Sequence, residues 1–180
     1  YFIDNEEYFK RKADTHDAEG NFFPDNDERA LFFGRGVLET VRKLGWAPDI
    51  IHCHGWMTAF VPLYVRHHFS DDPHFENAKL VFSVHDQKAE PLDKELAKKL
   101  AMEGFDKDLL KGLNKPTTDD LVKFGMGLSD AVVRSTAKLS KGLESAVKTY
   151  ERPVMPYVAG TDAVKAYADF YQGVLEEALV

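Results

Sequence analysis

Pro48-Asp49-Ile50-Ile51-His52-Cys53-His54-Gly55 reads as a strand that ends in a turn. Ile50 to Cys53 form a short, nearly continuous apolar run, bounded by Pro48 and Gly55. Such a run is how a parallel strand buried on both faces reads, since neither face alternates to polar residues. Lys79 to His85 (Lys-Leu-Val-Phe-Ser-Val-His) gives a stronger strand, rich in β-branched and aromatic residues. Ala131 to Thr136 and Val154 to Val158 supply two more, and Tyr1-Phe2-Ile3 reads as the end of another.

Helical patterns separate these strands. A short helix is expected from Glu6 to Arg11, then a polar loop from Lys12 to Pro24 containing Gly20. Asp25 or Asn26 can cap the next helix, in which Leu31, Val37, Leu38 and Val41 recur at roughly helical spacing. Lys43 and Gly45 suit its last turn and its stop. Trp56 to Phe69 reads as a helix holding Pro62. Proline in a helix interior costs about 3 kcal/mol, so this helix either kinks or starts late enough to place Pro62 in its first turn. Further helices are expected at Asp93 to Gly104, near Asp106 to Leu110, from a Thr118 cap to Leu128, at Ser140 to Glu151 and at Thr161 to Leu179. Strand and helix thus alternate four or five times. The expected fold is α/β: a Rossmann-like parallel sheet with right-handed crossovers and helices on both faces, one domain over residues 1–180.

The chain has 180 residues, enough for one sizeable core. Its 44% hydrophobic and 12% aromatic content excludes a disordered chain. A formal net charge of -7, with no basic patch or arm, argues against nucleic-acid binding. The longest apolar stretch, Thr58 to Val65, is too short to cross a bilayer, so no membrane partner is expected. One cysteine, Cys53, cannot form an internal disulfide, which suits a cytoplasmic setting.

In an open parallel sheet, ligands bind beyond the carboxyl ends of the strands. Two such ends carry polar residues: His52-Cys53-His54-Gly55-Trp56-Met57-Thr58 and Ser83-Val84-His85-Asp86. Side chains alternate along a strand, so His52 and His54 share a face and Cys53 takes the other. A helix after Gly55 would aim its amide hydrogens into the same crevice, favouring a polyol or an anion. The plainer alternative is structural: histidines at strand ends are often satisfied by backbone carbonyls. Cys53 reads as a small buried apolar residue rather than a nucleophile. The His-x-His pair lacks a third ligand at a known zinc spacing, so no metal and no cofactor is expected. No Gly-x-Ser-x-Gly or Walker-type loop occurs. Gly34-Arg35-Gly36 lies inside a helical pattern and reads as close packing. His67-His68 fall near an exposed helix end, and Asp119-Asp120 suit the first turn of a helix.

Several segments together resemble glycogen and starch synthases: Tyr1-Phe2-Ile3-Asp4-Asn5-Glu6-Glu7-Tyr8-Phe9, Asp25-Asn26-Asp27-Glu28-Arg29-Ala30, Trp46-Ala47-Pro48-Asp49 with the run through Ala59, and Val81-Phe82-Ser83-Val84-His85. Lys123 to Val133 resembles a later helix-strand step more weakly. The nearest relatives the resemblance suggests are short synthase-like proteins of the Bacteroidetes type. It implies part of the N-terminal domain of a two-domain GT-B enzyme, a retaining glucosyltransferase acting from ADP-glucose on an α-1,4-glucan. It further implies that His52, His54, Trp56, Met57, His85 and Asp86 bind substrate, with a glucan or nucleotide-sugar as ligand. Stabilising positive charge on the sugar ring and negative charge on the departing phosphate is then the main catalytic task.

The departures matter too. The family motif reads His-x-His-Asp-Trp-His, and here Gly55 takes the aspartate position and Met57 that of the last histidine, which contacts the transferred sugar. A thioether is at best a weak acceptor. Losing a contact that strengthens in the transition state costs about 2–4 kcal/mol. Gln87 to Lys99 replaces the family's glycine-rich loop, and no stretch of residues 1–180 reads as the family's donor-binding domain with its basic pair and glutamate. The chain starts at Tyr1 inside a strand pattern, which suggests a fragment lacking N-terminal strands, and its last helix reads as a finished C-terminus. No catalytic residue is assigned to this chain alone. Three readings follow: a synthase N-terminal domain that acts with a partner domain or a second copy; a non-catalytic relative that binds glucan or sugar nucleotide or regulates a true synthase; or an interaction module that keeps the scaffold. In the last, the stripe Ala163/Val164, Tyr167, Phe170/Tyr171 and Val174 reads as core.

Overall fold

The computed structural model describes residue 3, residue 5 and residues 6–176; positions 1, 2, 4 and 177–180 lie outside the description. The strand end expected at Tyr1-Phe2-Ile3 and the end of the last helix at Leu179 therefore fall largely outside it. Four parallel strands, β1 (Ile50–His54), β2 (Lys79–Val84), β3 (Ala131–Arg134) and β4 (Val154–Met155), pair in sequence order. His54 stands opposite Ser83, Val84 opposite Arg134, and Val133 opposite Met155. The helices are α1 (Glu6–Phe9), α2 (Asn26–Lys43), α3 (Phe60–Leu63), α4 (Leu96–Met102), α5 (Thr118–Gly127), α6 (Lys141–Lys148) and α7 (Asp162–Glu176).

Alternation along the strands builds two apolar layers. Leu80, Phe82 and Val84 face one way with Cys53 and Val132, and pack under Leu38, Phe60, Leu63, Leu96, Leu121 and Leu143. Val81, Ala131, Val133 and Met155 face the other way, and α7 covers them with Val174 and the half-buried Tyr167, Phe170 and Tyr171. Helices on both faces match the expectation. Of the α7 stripe, Tyr167, Phe170, Tyr171 and Val174 join the core, whereas Val164 is 78% exposed.

Local chemistry explains where the elements depart from the sequence reading. β1 is only half-buried, with His54 exposed, rather than buried on both faces. Among the described residues it pairs along one edge only, with β2. The expected helix Trp56 to Phe69 is three pieces: a 3₁₀ turn (Trp56–Thr58), α3, and a π-helical turn (Tyr64–His68) closed by the Phe69 N–H on the Tyr64 carbonyl at 2.8 Å. Pro62 sits in the first turn of α3, where its missing N–H would have had no helical partner. The late-start alternative therefore holds. It also removes the long helix whose N-terminus was expected to face the crevice. Thr117, not Thr118, caps α5, in a reciprocal capping box with Asp120. No helix forms at Asp106 to Leu110; a 3₁₀ turn follows at Lys111–Leu113.

α2, the longest helix among the described residues, shows both kinds of end. Asp25 occupies the cap position of α2, but its carboxylate grips the Arg11 guanidinium and not the helix amides. At the other end Gly45, at φ +66°, donates to the Arg42 carbonyl while Trp46 donates to that of Val41. That pair of hydrogen bonds is the Schellman arrangement, and glycine suits its left-handed residue. Gly34 lies against the Phe60–Val61 backbone and Gly36 against Ile3, so the Gly-Arg-Gly step is close packing as expected.

Arg29, 4% exposed, fastens the N-terminal region to this scaffold. It donates to the carbonyls of Tyr8 and Asp14 and to Asn26 Oδ1, and Asn26 Nδ2 reaches the Thr15 carbonyl at 2.9 Å. The buried guanidinium is tolerated because Nε and Nη1 are bonded in this way and its plane lies over the Phe9 and Phe23 rings. The loop it holds carries a short antiparallel bridge, His16 to Phe22, and lies beside Trp56.

Candidate functional site

β1 and β2 end side by side, and the Gly55 N–H continues their ladder by donating to the Ser83 carbonyl at 3.1 Å. The sheet thus brings His52 and His54 beside His85. The His52 and His54 rings stack with centroids 4.1 Å apart and 28° between planes. The His54 and His85 rings follow at 5.8 Å. His52 is half-buried and bonded at both nitrogens, Nδ1 to Tyr171 Oη at 2.5 Å and Nε2 to Ser83 Oγ at 2.7 Å. His54 is exposed and His85 half-buried. Among the described residues no backbone carbonyl, the plainer alternative, holds these rings; His52 is held by side chains.

Burial keeps this row uncharged. Desolvation, with His54 and His85 as neighbours, pushes the His52 pKa down to about 4. Desolvation also lowers His54, and desolvation and then His54 lower His85. Neutral imidazoles each present one donor and one acceptor, which suits hydroxyl groups and gives little attraction to phosphate. The anion half of the sequence expectation therefore loses its support at this row. No group of three or more His, Cys, Asp or Glu side chains among the described residues is placed to hold a metal ion. Cys53 lies on the opposite face of β1, 2% exposed, and burial pushes its thiol up to about 12, so it has the character of a small apolar side chain.

The remaining sequence-chosen residues lie around this row in different ways. Trp56 is buried and turns to the loop side, its ring 5.6 Å from that of Phe22. Met57 is half-buried against the main core. Asp86 is exposed, and its N–H donates to Thr136 Oγ1 at 3.1 Å. Gly55 adopts φ +68° and ψ −178°, a region that essentially only glycine enters. A Cβ there would lie 3.8 Å from His85 Cδ2 and 4.0 Å from Gln87 Oε1, so Gly55 sits between the imidazole row and Gln87.

Gln87 opens a feature that the sequence reading missed. With Trp56, Phe22, Thr15, His16, Gly20, Lys88 and Glu90 it lines a cavity of about 420 Å³. Among the described residues its buried Nε2 has no hydrogen-bond partner, nor has Ser135 Oγ beyond the end of β3. An unspent buried donor is costly, so such a group points to a missing partner. Lys88 and His16 approach Glu90, at 2.6 and 3.6 Å, and close one side. The polar loop before Pro24 carried no local sign of this role, because its placement depends on Arg29. An aromatic wall with scattered polar groups suits a sugar, whose ring has an apolar face and a hydroxyl rim.

Comparison with known proteins agrees with this fold. Residues 1–142 match the family model described as starch synthase catalytic domain. A glycogen synthase of Chlorobaculum parvum is 32% identical over 178 residues, 97% of this chain and 34% of that protein. A glycogen synthase of Chlorobium phaeobacteroides is 44% identical over 88 residues, 47% of this chain and 18% of that one. Among solved structures, the catalytic domain of starch synthase IV from Arabidopsis thaliana bound to ADP and acarbose superposes with a TM-score of 0.59 at 25% identity, covering 81% of this chain and 32% of that chain. The chain spans about a third or less of the length of the curated relatives it matches.

Proposed function

This chain belongs to the glycogen and starch synthase family, and from that premise we propose that it supplies the sugar-contacting wall of a glucosyltransferase site. The single α/β unit of residues 1–180 then acts in transfer of glucose from ADP-glucose to an α-1,4-glucan. The observation that carries this reading is the row His52, His54 and His85 at adjoining strand ends, beside a cavity walled by Trp56 and Phe22. His54 and His85, uncharged and open to solvent, exchange hydrogen bonds with sugar hydroxyls. Trp56 and Phe22 take the apolar face of a neighbouring ring, and Gln87 Nε2 finds its acceptor on a hydroxyl. Asp86 lies at the rim as a further acceptor. Holding the acceptor in place lowers the entropic part of the barrier. Charge stabilisation at the leaving phosphate falls to cationic groups outside this row, since its imidazoles are neutral.

The test is glucosyl transfer from ADP-glucose to maltoheptaose, measured with the protein alone and with a synthase donor-binding domain added. Transfer in either case supports the proposal. Absence of transfer together with absence of maltoheptaose binding refutes it.

Gly55 and Met57 favour a second reading, that of a relative that binds glucan without catalysis. The backbone at 55 disfavours any side chain, and Met57 packs on the core where the family carries a polar group. Maltoheptaose binding without transfer under both conditions selects this reading.

A further inference from the structure

We propose that Tyr171 of α7 is a positioning residue that sets the ring orientation and tautomer of His52, and through the stack that of His54. Residue 171 lies beyond the segment that matches the family model, which ends at residue 142. The motif that carries the histidines is thus held from outside that segment.

The argument starts from hydrogen-bond accounting. Ser83 is fully buried, and among the described residues its side chain bonds only to His52 Nε2. A buried hydroxyl hydrogen needs an acceptor, so Ser83 Oγ donates to Nε2. Nε2 then carries no proton, and Nδ1–H donates to Tyr171 Oη. The half-buried Tyr171 hydroxyl keeps its own hydrogen for solvent. Two bonds to opposite sides of the ring leave His52 one orientation. His54 lies over that ring at 4.1 Å, so a turned His52 displaces it. Groups facing His52 are Ser83 from β2, His54 from β1, His85 beyond β2, and Tyr167 and Tyr171 from α7. None of these is a carboxylate or a permanent cation. The hydroxyls of Ser83 and Tyr171 are therefore the groups that select the tautomer. Tyr167 lies 6.1 Å from the His52 ring, centroid to centroid, without a hydrogen bond to it.

The experiment records imidazole nitrogen–proton correlations at pH 7.5 for the wild type, Tyr171→Phe, Ser83→Ala and Tyr167→Phe. Wild type is expected to show His52 as one tautomer protonated at Nδ1. Tyr171→Phe and Ser83→Ala are expected to average His52 between tautomers and to move the His54 ring resonances, while Tyr167→Phe leaves both in place. An unchanged His52 tautomer and unmoved His54 resonances in folded Tyr171→Phe overturn the proposal. This arm needs no ligand and so stands apart from the sugar-binding reading. A second arm rests on that reading: Tyr171→Phe is expected to weaken maltoheptaose binding about three- to tenfold, the size of one neutral hydrogen bond. A tautomer change in Tyr171→Phe together with no maltoheptaose binding by the wild type sinks the sugar reading and leaves the positioning role intact. Wild type and Tyr171→Phe that bind equally, with His54 unmoved, sink the positioning role.

Discussion

His52 and His54, two residues apart on one strand, stack their imidazoles 4.1 Å apart on the face that α7 covers. Neither ring gains a proton easily there, because desolvation opposes charge on both.

That relationship gives a pH dependence with a definite sign. An unfolded histidine takes up a proton near pH 6.5, whereas folded His52 resists until about pH 4. Between these values the unfolded state binds more protons, so stability falls as the pH drops through that window. His54 and His85 contribute with the same sign. With allowance for solvent screening at this half-buried ring, His52 accounts for on the order of 2 kcal/mol. Denaturant unfolding at pH 7.5 and pH 5 measures the loss, and His52→Gln should flatten the slope between them.

Gly55→Ala tests the backbone rather than the space around it. A Cβ there meets no atom closer than 3.8 Å, so crowding is absent. The conformation itself should cost about 1–3 kcal/mol. Urea midpoints at constant slope should report that loss, and an unchanged midpoint would remove the backbone argument for glycine at this place.

Arg29→Met should loosen the wall of the cavity. It strands the carbonyls of Tyr8 and Asp14 and frees the loop that carries His16 and Phe22. A loss of about 2–4 kcal/mol is expected, since several hydrogen bonds to a buried charge go together. Trp56 fluorescence should shift as Phe22 leaves its ring. A variant with wild-type stability and emission contradicts the anchoring role.

Gly125→Ala probes how tightly α5 sits on β2. Its Cβ would stand 2.5 Å from Phe82 Cε2, inside a fully buried ring. Overpacking of this kind costs about 1–3 kcal/mol. Thermal unfolding gives the measure, and Phe82→Leu in the same chain should recover part of the loss.

What the sequence made legible follows from how local each signal is. β2 and β3 are apolar runs with turn residues beside them, and their burial repeats that pattern. The stop of α2 was visible because Gly45 alone suits its left-handed turn. The broken helix after Gly55 was visible only as a choice, since Pro62 restricts the helix without saying which end yields. The π-helical turn at Tyr64–His68 had no signature of its own. At the site, the His-x-His spacing placed two rings on one face, and parallel pairing added His85. In the sequence Tyr171, 119 residues from His52, shows only as part of a core stripe, because nothing local links a phenol to a distant imidazole. Gln87 and Phe22 were invisible for the same reason: the loop from Lys12 to Pro24 reads as polar chain until Arg29 pins it.

The most direct measurement is calorimetric titration of maltoheptaose into the wild type and into His54→Ala/His85→Ala at pH 7.5. Saturable binding by the wild type, weakened at least about tenfold in the folded double variant, is predicted from the loss of two or more hydrogen bonds to hydroxyls. Equal affinity in both proteins, or no binding by the wild type, contradicts the account.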